Sequence, residues 1–169
     1  MLARLARFRV TLGFIVGIVC FWLARPSWST VVVGGLIAIP GEMLRLWAAG
    51  HIEKGREITR SGPYRFVRHP LYLGSSIMAV GFAVAAGSGT VVILVVGYMG
   101  LTLLAAMQTE ERALDQKFNG EYSAYREGRA EPVVRRFSWQ RVVANREYRA
   151  AAGLLIGLGV LALEMWWKR

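Results

Sequence analysis

Five apolar stretches of near-bilayer length divide this sequence, at about residues 10–24, 30–49, 71–86, 90–107 and 148–166. A helix needs ~20 mostly apolar residues to cross the hydrocarbon core, and ~17 are tolerated. The first and third stretches are short and draw on flanking residues. Hydrophobic residues make up 54% of the chain, yet the net charge is +10. A soluble domain rarely combines the two. A membrane protein with basic loops does so naturally, because anionic headgroups attract the loops and the bilayer hides the rest. The expected fold class is all-α: a polytopic membrane helix bundle of about five transmembrane helices with a cytoplasmic helical extension. Residues 1–169 are read as a single domain. Arg4, Arg7 and Arg9 before an apolar run also begin a signal peptide, but no A-x-A-like cleavage site follows, so a retained first span is expected. Gly87-Ser88-Gly89-Thr90 breaks the third stretch from the fourth. Gly13/Gly17 and Gly153/Gly157 are small-xxx-small pairs that let helix backbones approach. The single Cys, Cys20, excludes a disulfide framework and Cys-based metal sites, and two His make no convincing metal site, so no metal is expected.

Orientation follows from the basic residues. If every stretch spans, seventeen of the 21 Lys and Arg fall on one side, in the N-terminus, the 50–70 loop and the 108–149 region. By the positive-inside rule that side is cytoplasmic, which suits an inner membrane of a bacterial cell. Lys168 and Arg169 then sit on the opposite side, so the fifth stretch is open to a re-entrant or interfacial reading. Arg135, Arg136, Arg141, Arg146 and Arg149 suggest a polybasic membrane surface. Nucleic acid is a poor alternative partner, since no nucleic-acid-binding motif accompanies them.

Two places carry chemistry. In Ser61-Gly62-Pro63-Tyr64-Arg65-Phe66-Val67-Arg68-His69-Pro70-Leu71-Tyr72-Leu73-Gly74, Pro70 suits the first turn of a helix, where its missing N–H is not needed. His69 then stands at the helix mouth with Tyr72 on the same face. The free N–H groups there, with Arg65 and Arg68, favour an anion such as a carboxylate. The second place is Glu110-Glu111, just past the fourth stretch. A hairpin of the third and fourth stretches brings both to one membrane face, so His69, Tyr72 and Glu110 can meet across about 40 positions. Beyond it, Leu114, Phe118, Tyr122 and Tyr125 recur at helical spacing, and Gly120 is placed to bend that helix.

The elements Arg68-His69-Pro70-Leu71-Tyr72-Leu73-Gly74, Glu110-Glu111, Phe118 and Glu121-Tyr122-Ser123-Ala124-Tyr125 resemble the isoprenylcysteine carboxyl methyltransferase and phospholipid methyltransferase superfamily. The resemblance covers roughly residues 50–137. It implies S-adenosylmethionine as cofactor, held without a dinucleotide-binding fold, and no strand–GxGxxG–helix unit is present. It further implies that Glu57, Ile58, Thr59, Tyr64, Arg68, His69, Pro70, Leu71, Tyr72 and Glu110 line the cofactor. The acceptor is then a lipophilic small molecule or lipid, an amine or a carboxylate. Eukaryotic prenylcysteine enzymes of this kind carry an Arg about one turn before the Glu pair; Ala106 stands there, against a prenylcysteine substrate.

An amine acceptor must lose a proton, and Glu111, His51 or water are the candidates to accept it. The residues do not choose among them, nor do they set the oligomeric state. Glu42 and Arg45, three apart in the second stretch, read equally as a structural ion pair or a functional one. A membrane reductase of sterol-reductase-like architecture and a noncatalytic membrane protein are the other readings.

Overall fold

The computed structural model describes residues 2–131 and 133–167, with side chains from residue 11 onward. Arg4, Arg7 and Arg9 as side chains, and Lys168–Arg169 altogether, lie outside the described residues. All described secondary structure is helical. The order is α1 (Leu2–Leu23), α2 (Trp28–Ala49), a 3₁₀ turn (Gly62–Arg65), α3 (Pro70–Ala85), α4 (Gly89–Lys117), α5 (Glu121–Arg126), α6 (Trp139–Ala144) and α7 (Tyr148–Trp167). The chain is a helical membrane bundle. Three helices, α2, α4 and α7, are long and apolar enough to cross a membrane; Thr11–Leu23 of α1 and the whole of α3 are apolar but shorter. The outward faces carry Ile18, Ile93, Leu155 and Trp166, all largely exposed. Lipid, not water, is the solvent that tolerates such a surface.

The helices begin and end where local chemistry dictates. Ser27 caps α2: Thr30 N–H donates to Ser27 Oγ at 3.2 Å, and Ser27 N–H donates to Thr30 Oγ1 at 2.8 Å. This reciprocal pair satisfies two N–H groups that the helix cannot. Pro70 occupies the first turn of α3, as expected from the sequence. α4 carries a polar helical extension, as expected after its apolar run. It runs on past residue 107 to Lys117, so Glu110 and Glu111 lie within the helix and not beyond it. Gln108, Glu110, Glu111, Arg112, Leu114 and Lys117 there are good helix formers, and the helix continues after its apolar run stops. Asn119 and Gly120, both with positive φ, then turn the chain into α5.

α2 and α3 form the tightest pair. A Cβ built on Gly34 would lie 2.4 Å from the Gly81 carbonyl oxygen, and one on Gly41 would lie 2.7 Å from that of Gly74. The two backbones touch with no side chain between them. The small-residue pairs expected to do this do not bring backbones together: Gly17 and Gly153 have open space around them, a Cβ on Gly13 would lie 2.6 Å from the Tyr98 hydroxyl, and one on Gly157 would meet the Phe82 ring at 3.5 Å and Phe21 at 4.0 Å. Replacing Gly34 with Ala is expected to cost about 1–3 kcal/mol, because packed backbone cannot step aside. A lowered thermal midpoint of the purified protein in detergent would register it, and an unchanged midpoint would count against the seam.

At the other end of the bundle, Cys20, Ala24, Ala83, Ala85, Val91, Val95 and Leu161 form the buried apolar core. The α1–α2 and α3–α4 connections meet there, with Arg25 N–H donating to the Ala86 carbonyl at 2.8 Å. The end that remains holds the polar loops and the charged clusters.

Candidate active site

α3 begins where α4 leaves the apolar run, and two carboxylates from consecutive positions meet different partners. Neighbouring residues on a helix point about 100° apart. Tyr72 donates its hydroxyl hydrogen bond to Glu110 Oε2 at 2.7 Å, tying α3 to α4. Glu111 turns instead to His69, whose Nε2 lies 2.9 Å from Glu111 Oε1. The Tyr122 hydroxyl donates to the same oxygen at 3.0 Å, and Arg68 Nη1 stands 3.7 Å away. Tyr122 reaches this point because the turn at Asn119–Gly120 folds α5 back. Tyr125, one turn on, donates to the Tyr64 carbonyl at 2.5 Å and pins the 3₁₀ turn.

Burial sets the protonation of these phenols. It pushes Tyr122 well above the usual phenol value, and the neighbouring Glu111 charge adds to the rise. Tyr64 is driven up by burial and then by Glu110; Tyr125 is driven up by burial against the opposing charges of Arg68 and Arg60. All three are neutral hydrogen-bond donors at ordinary pH.

A cavity of about 570 Å³ opens between these elements. Its lining includes Glu57, Ile58 and Thr59 from the loop after α2, Tyr64 from the 3₁₀ turn, Arg68, His69, Pro70, Leu71 and Tyr72 at the start of α3, and Glu110 on α4. These ten were singled out from sequence, and the fold brings them to one space. The volume lies inside the ~300–1,000 Å³ range of small-molecule pockets. The opposite wall is α4, which presents Met99, Leu103 and Ala106. Two buried polar atoms on the lining have no hydrogen-bond partner: the Tyr64 hydroxyl and Thr59 Oγ1. Such groups are costly to leave unpaired, by about 1–3 kcal/mol each.

Two further sequence candidates stand elsewhere. His51 is buried but is not part of the cavity lining. Its Nδ1 lies 2.9 Å from the Trp47 carbonyl, and its ring packs edge-on to Phe137. The ring also fills the space a Cβ on Gly62 would need, 2.6 Å away, and Gly62 has φ +57. His51 is thus a post under the 3₁₀ turn. Glu111 lies behind the lining, its Oε1 engaged by His69, Tyr122 and Arg68.

The polybasic segment is corrected in part. Arg135 pairs with Glu57 at 2.7 Å and Glu53 at 3.5 Å, and Arg141 donates to the Gly50 carbonyl at 2.8 Å. These two clamp the wall of the cavity; Arg136, Arg146 and Arg149 remain exposed. The sequence reading missed Glu147, the true partner of Arg45: Arg45 Nε donates to Glu147 Oε1 at 2.6 Å, while Glu42 stays at 3.9 Å. A lone acid ahead of the last apolar stretch was the one available cue. α6 delivers it, ending with Glu147 N–H on the Val142 carbonyl and Arg146 N–H on the Val143 carbonyl. Arg146 takes the left-handed φ of 57 that glycine usually supplies in such an ending.

Residues 9–121 match the family described as phospholipid methyltransferase. The chain belongs to the phospholipid methyltransferase family. The match covers more than half of the chain and runs from within α1 to the start of α5, including the residues named above on the cavity wall except Tyr122, Tyr125 and Glu147. The nickel-cobalt-cadmium resistance protein NccN of Alcaligenes xylosoxydans xylosoxydans is similar, at 28% identity over 99 residues. That alignment covers 57% of this chain and 45% of NccN, so the chain spans less than half of that relative. No solved structure matches.

Proposed function

We propose that this membrane protein transfers a methyl group from S-adenosylmethionine to a lipophilic acceptor, a lipid or small apolar molecule bearing an amine or carboxylate. The observation that carries the reading is the convergence of the ten lining residues on one cavity that still holds an unpaired Tyr64 hydroxyl and Thr59 Oγ1. Family membership supports methyl transfer. The residues present suit the donor molecule. Arg68 and the first turn of α3 favour its carboxylate, since helix N-termini and cations stabilise anions. Glu110, with Tyr72, offers an acceptor for its amine or hydroxyls. Glu57, Ile58 and Thr59 offer a half-apolar wall for the remainder.

When bound, the donor supplies an electrophilic methyl on a sulfonium whose charge disperses as the bond forms. The chain's part is then to orient and to exclude water. Met99, Leu103 and Ala106 keep one side dry, and the hydrogen-bonded Tyr72–Glu110 and His69–Glu111 pairs hold the other rigid. Positioning of this kind supplies ~7–11 kcal/mol in well-oriented systems. Glu111 serves as a positioning residue for His69, because three donors already share its oxygen. His51 serves the 3₁₀ turn, so the proton that an amine acceptor must lose goes to water, and a carboxylate acceptor has none to lose. The acceptor enters sideways from lipid, and the donor enters from the basic face, which the positive-inside rule makes cytoplasmic.

Calorimetry on the purified full chain in neutral detergent tests the reading. S-adenosylmethionine and S-adenosylhomocysteine are expected to bind and NADPH not to. Heat from NADPH alone would point to a reductase and overturn the methyltransferase.

A further inference from the structure

One wall of the cavity, with Ile52, Glu57, Ile58 and Thr59 on it, is the loop after α2, and no helix fixes its shape. The loop starts where negative charge collects. The last carbonyls of a helix lack helical partners and form the negative end of its dipole, and Glu53 and Glu57 add two carboxylates. Residues 135–145 answer this from across the fold. Asn145 Nδ2 donates to the Ala49 and Ile52 carbonyls, each at 3.1 Å. Ser138 N–H donates to the Gly50 carbonyl at 3.1 Å, and Arg141 Nε donates to the same oxygen at 2.8 Å. A Cβ built on Gly50 would run into the Phe137 ring, so the two segments press together without a gap. All of these contacts come from beyond residues 9–121, the part that matches the family.

Arg135 does more than cap the helix end. Its guanidinium spans the His51 carbonyl at 3.3 Å, Glu53 at 3.5 Å and Glu57 at 2.7 Å. Glu57 lines the cavity and Arg135 does not, so the arginine stands behind the wall and holds a carboxylate that faces the space. The ion pair engages Glu57 Oε2, and the second oxygen can still accept a hydrogen bond. Thr59, two residues on, is 6% exposed and lines the same wall, and its hydroxyl has no hydrogen-bond partner. The stretch from Glu57 to Thr59 therefore offers a ligand one held carboxylate and one unpaired hydroxyl.

We propose that Arg135 is a positioning residue for the methyl donor: it holds the Glu57 carboxylate where that group accepts an N–H or O–H of the donor that Glu110 does not reach. The assignment rests on the methyltransferase reading. Without Arg135, Glu57 stands beside Glu53 and the negative end of α2, and like charge drives it off the wall toward water. Arginine suits the task because its planar fork engages two carboxylates and a carbonyl at once, where the ammonium of lysine is a single point charge. Lys54 and Arg56 of the loop itself are exposed and leave this work to the distant segment.

The test is a double-variant cycle on S-adenosylhomocysteine affinity, read by calorimetry on the full chain in neutral detergent. Arg135→Gln and Glu57→Gln are each expected to lose about tenfold, the size of one charge-assisted hydrogen bond. The double variant is expected to lose about tenfold as well, because both changes remove the same contact. A loss near the product of the two, about a hundredfold, would overturn the assignment, since a general loosening of the loop adds to the Glu57 effect and does not vanish with it. Either single variant within about twofold of the wild type would overturn it too. Should Arg135→Gln fail to fold, Arg135→Lys takes its place in the cycle: a loss that disappears in the Glu57→Gln background supports the proposal, and an unchanged affinity or a fully additive loss refutes it. The wild type reads the underlying function separately. Absence of S-adenosylhomocysteine binding there overturns the methyltransferase and this role with it, whereas binding with a failed cycle overturns only the role of Arg135.

Discussion

Arg45→Ala is expected to destabilise the protein by roughly 3–5 kcal/mol, the largest effect of any single substitution considered. Removing the guanidinium strips Glu147 of its partner and leaves Glu42, whose two oxygens are buried without hydrogen bonds, facing another buried carboxylate. Ser75 and the Leu71 carbonyl lose their donor as well, so α2, α3 and the α6–α7 connection lose their shared link at one point. The comparison that isolates this cause is the double variant Arg45→Met with Glu147→Gln. It removes the orphaned charge together with its partner and should recover a substantial part of the loss, since replacing a buried pair is far cheaper than breaking one. Thermal unfolding in detergent, followed by tryptophan fluorescence, would read both. A single variant no less stable than the double one would show that the ion pair is not what joins the helices.

Glu110→Gln is expected to weaken S-adenosylmethionine binding by about 10- to 100-fold, the range of a lost charge-assisted hydrogen bond at ~1.5–3 kcal/mol. The amide keeps the shape and can still accept from Tyr72, so the fold should stand. His69→Ala should act similarly by a different route: Glu111 loses its neighbour, and the first turn of α3 loses the ring that packs at 5.6 Å from Tyr72. Glu127→Gln, which touches only the exposed Arg129, serves as the control and should bind normally. Calorimetric affinities near the wild type in both site variants would mean that the cofactor lies elsewhere.

Much of this architecture is legible in the order of residues, and the failures have physical reasons. Hydropathy located the spans because lipid imposes a length. It gave only the end of the apolar run of α4; the extension beyond was legible in helix-forming residues, because propensity, not apolarity, decides where a helix stops once it has left the bilayer. Pro70 marked the start of α3, since a missing N–H is harmless only there. α6 escaped notice because Arg146 stands where glycine would have signalled the stop, and its left-handed φ is maintained by contacts that no local pattern reveals. The small-residue seam was sought in α1 and α7 and found between α2 and α3: spacing says which face of a helix is smooth, but not which neighbour will press against it. Arg135 and Arg141 looked like a membrane-facing patch because their partners, Glu53 and Glu57, lie some 80 positions away in sequence. On the cavity itself, His69, Tyr72 and Glu110 could be brought together because helix geometry carries two distant segments to one level, whereas Glu57, Ile58, Thr59 and Tyr64 were reached only through the family resemblance. Glu147 was not, as no periodicity links it to Arg45.

α4 has a consequence for how this protein senses its surroundings. It is one unbroken helix of 29 residues, from the loop at one end of the bundle to Lys117 beyond the Glu pair. At ~1.5 Å per residue it is about 43 Å long; its apolar run is close to the ~30 Å of a hydrocarbon core, and the rest carries the Glu pair beyond it. In a thinner bilayer the apolar run exceeds the core, and such a mismatch is taken up by tilting. Because Glu110 and Glu111 ride on the same rod as the lipid-facing Ile93 and Leu104, a tilt is delivered undamped to the hydrogen bonds with Tyr72 and His69. The Glu110–Tyr72 and Glu111–His69 contacts are thereby coupled to the thickness of the membrane that holds the helix.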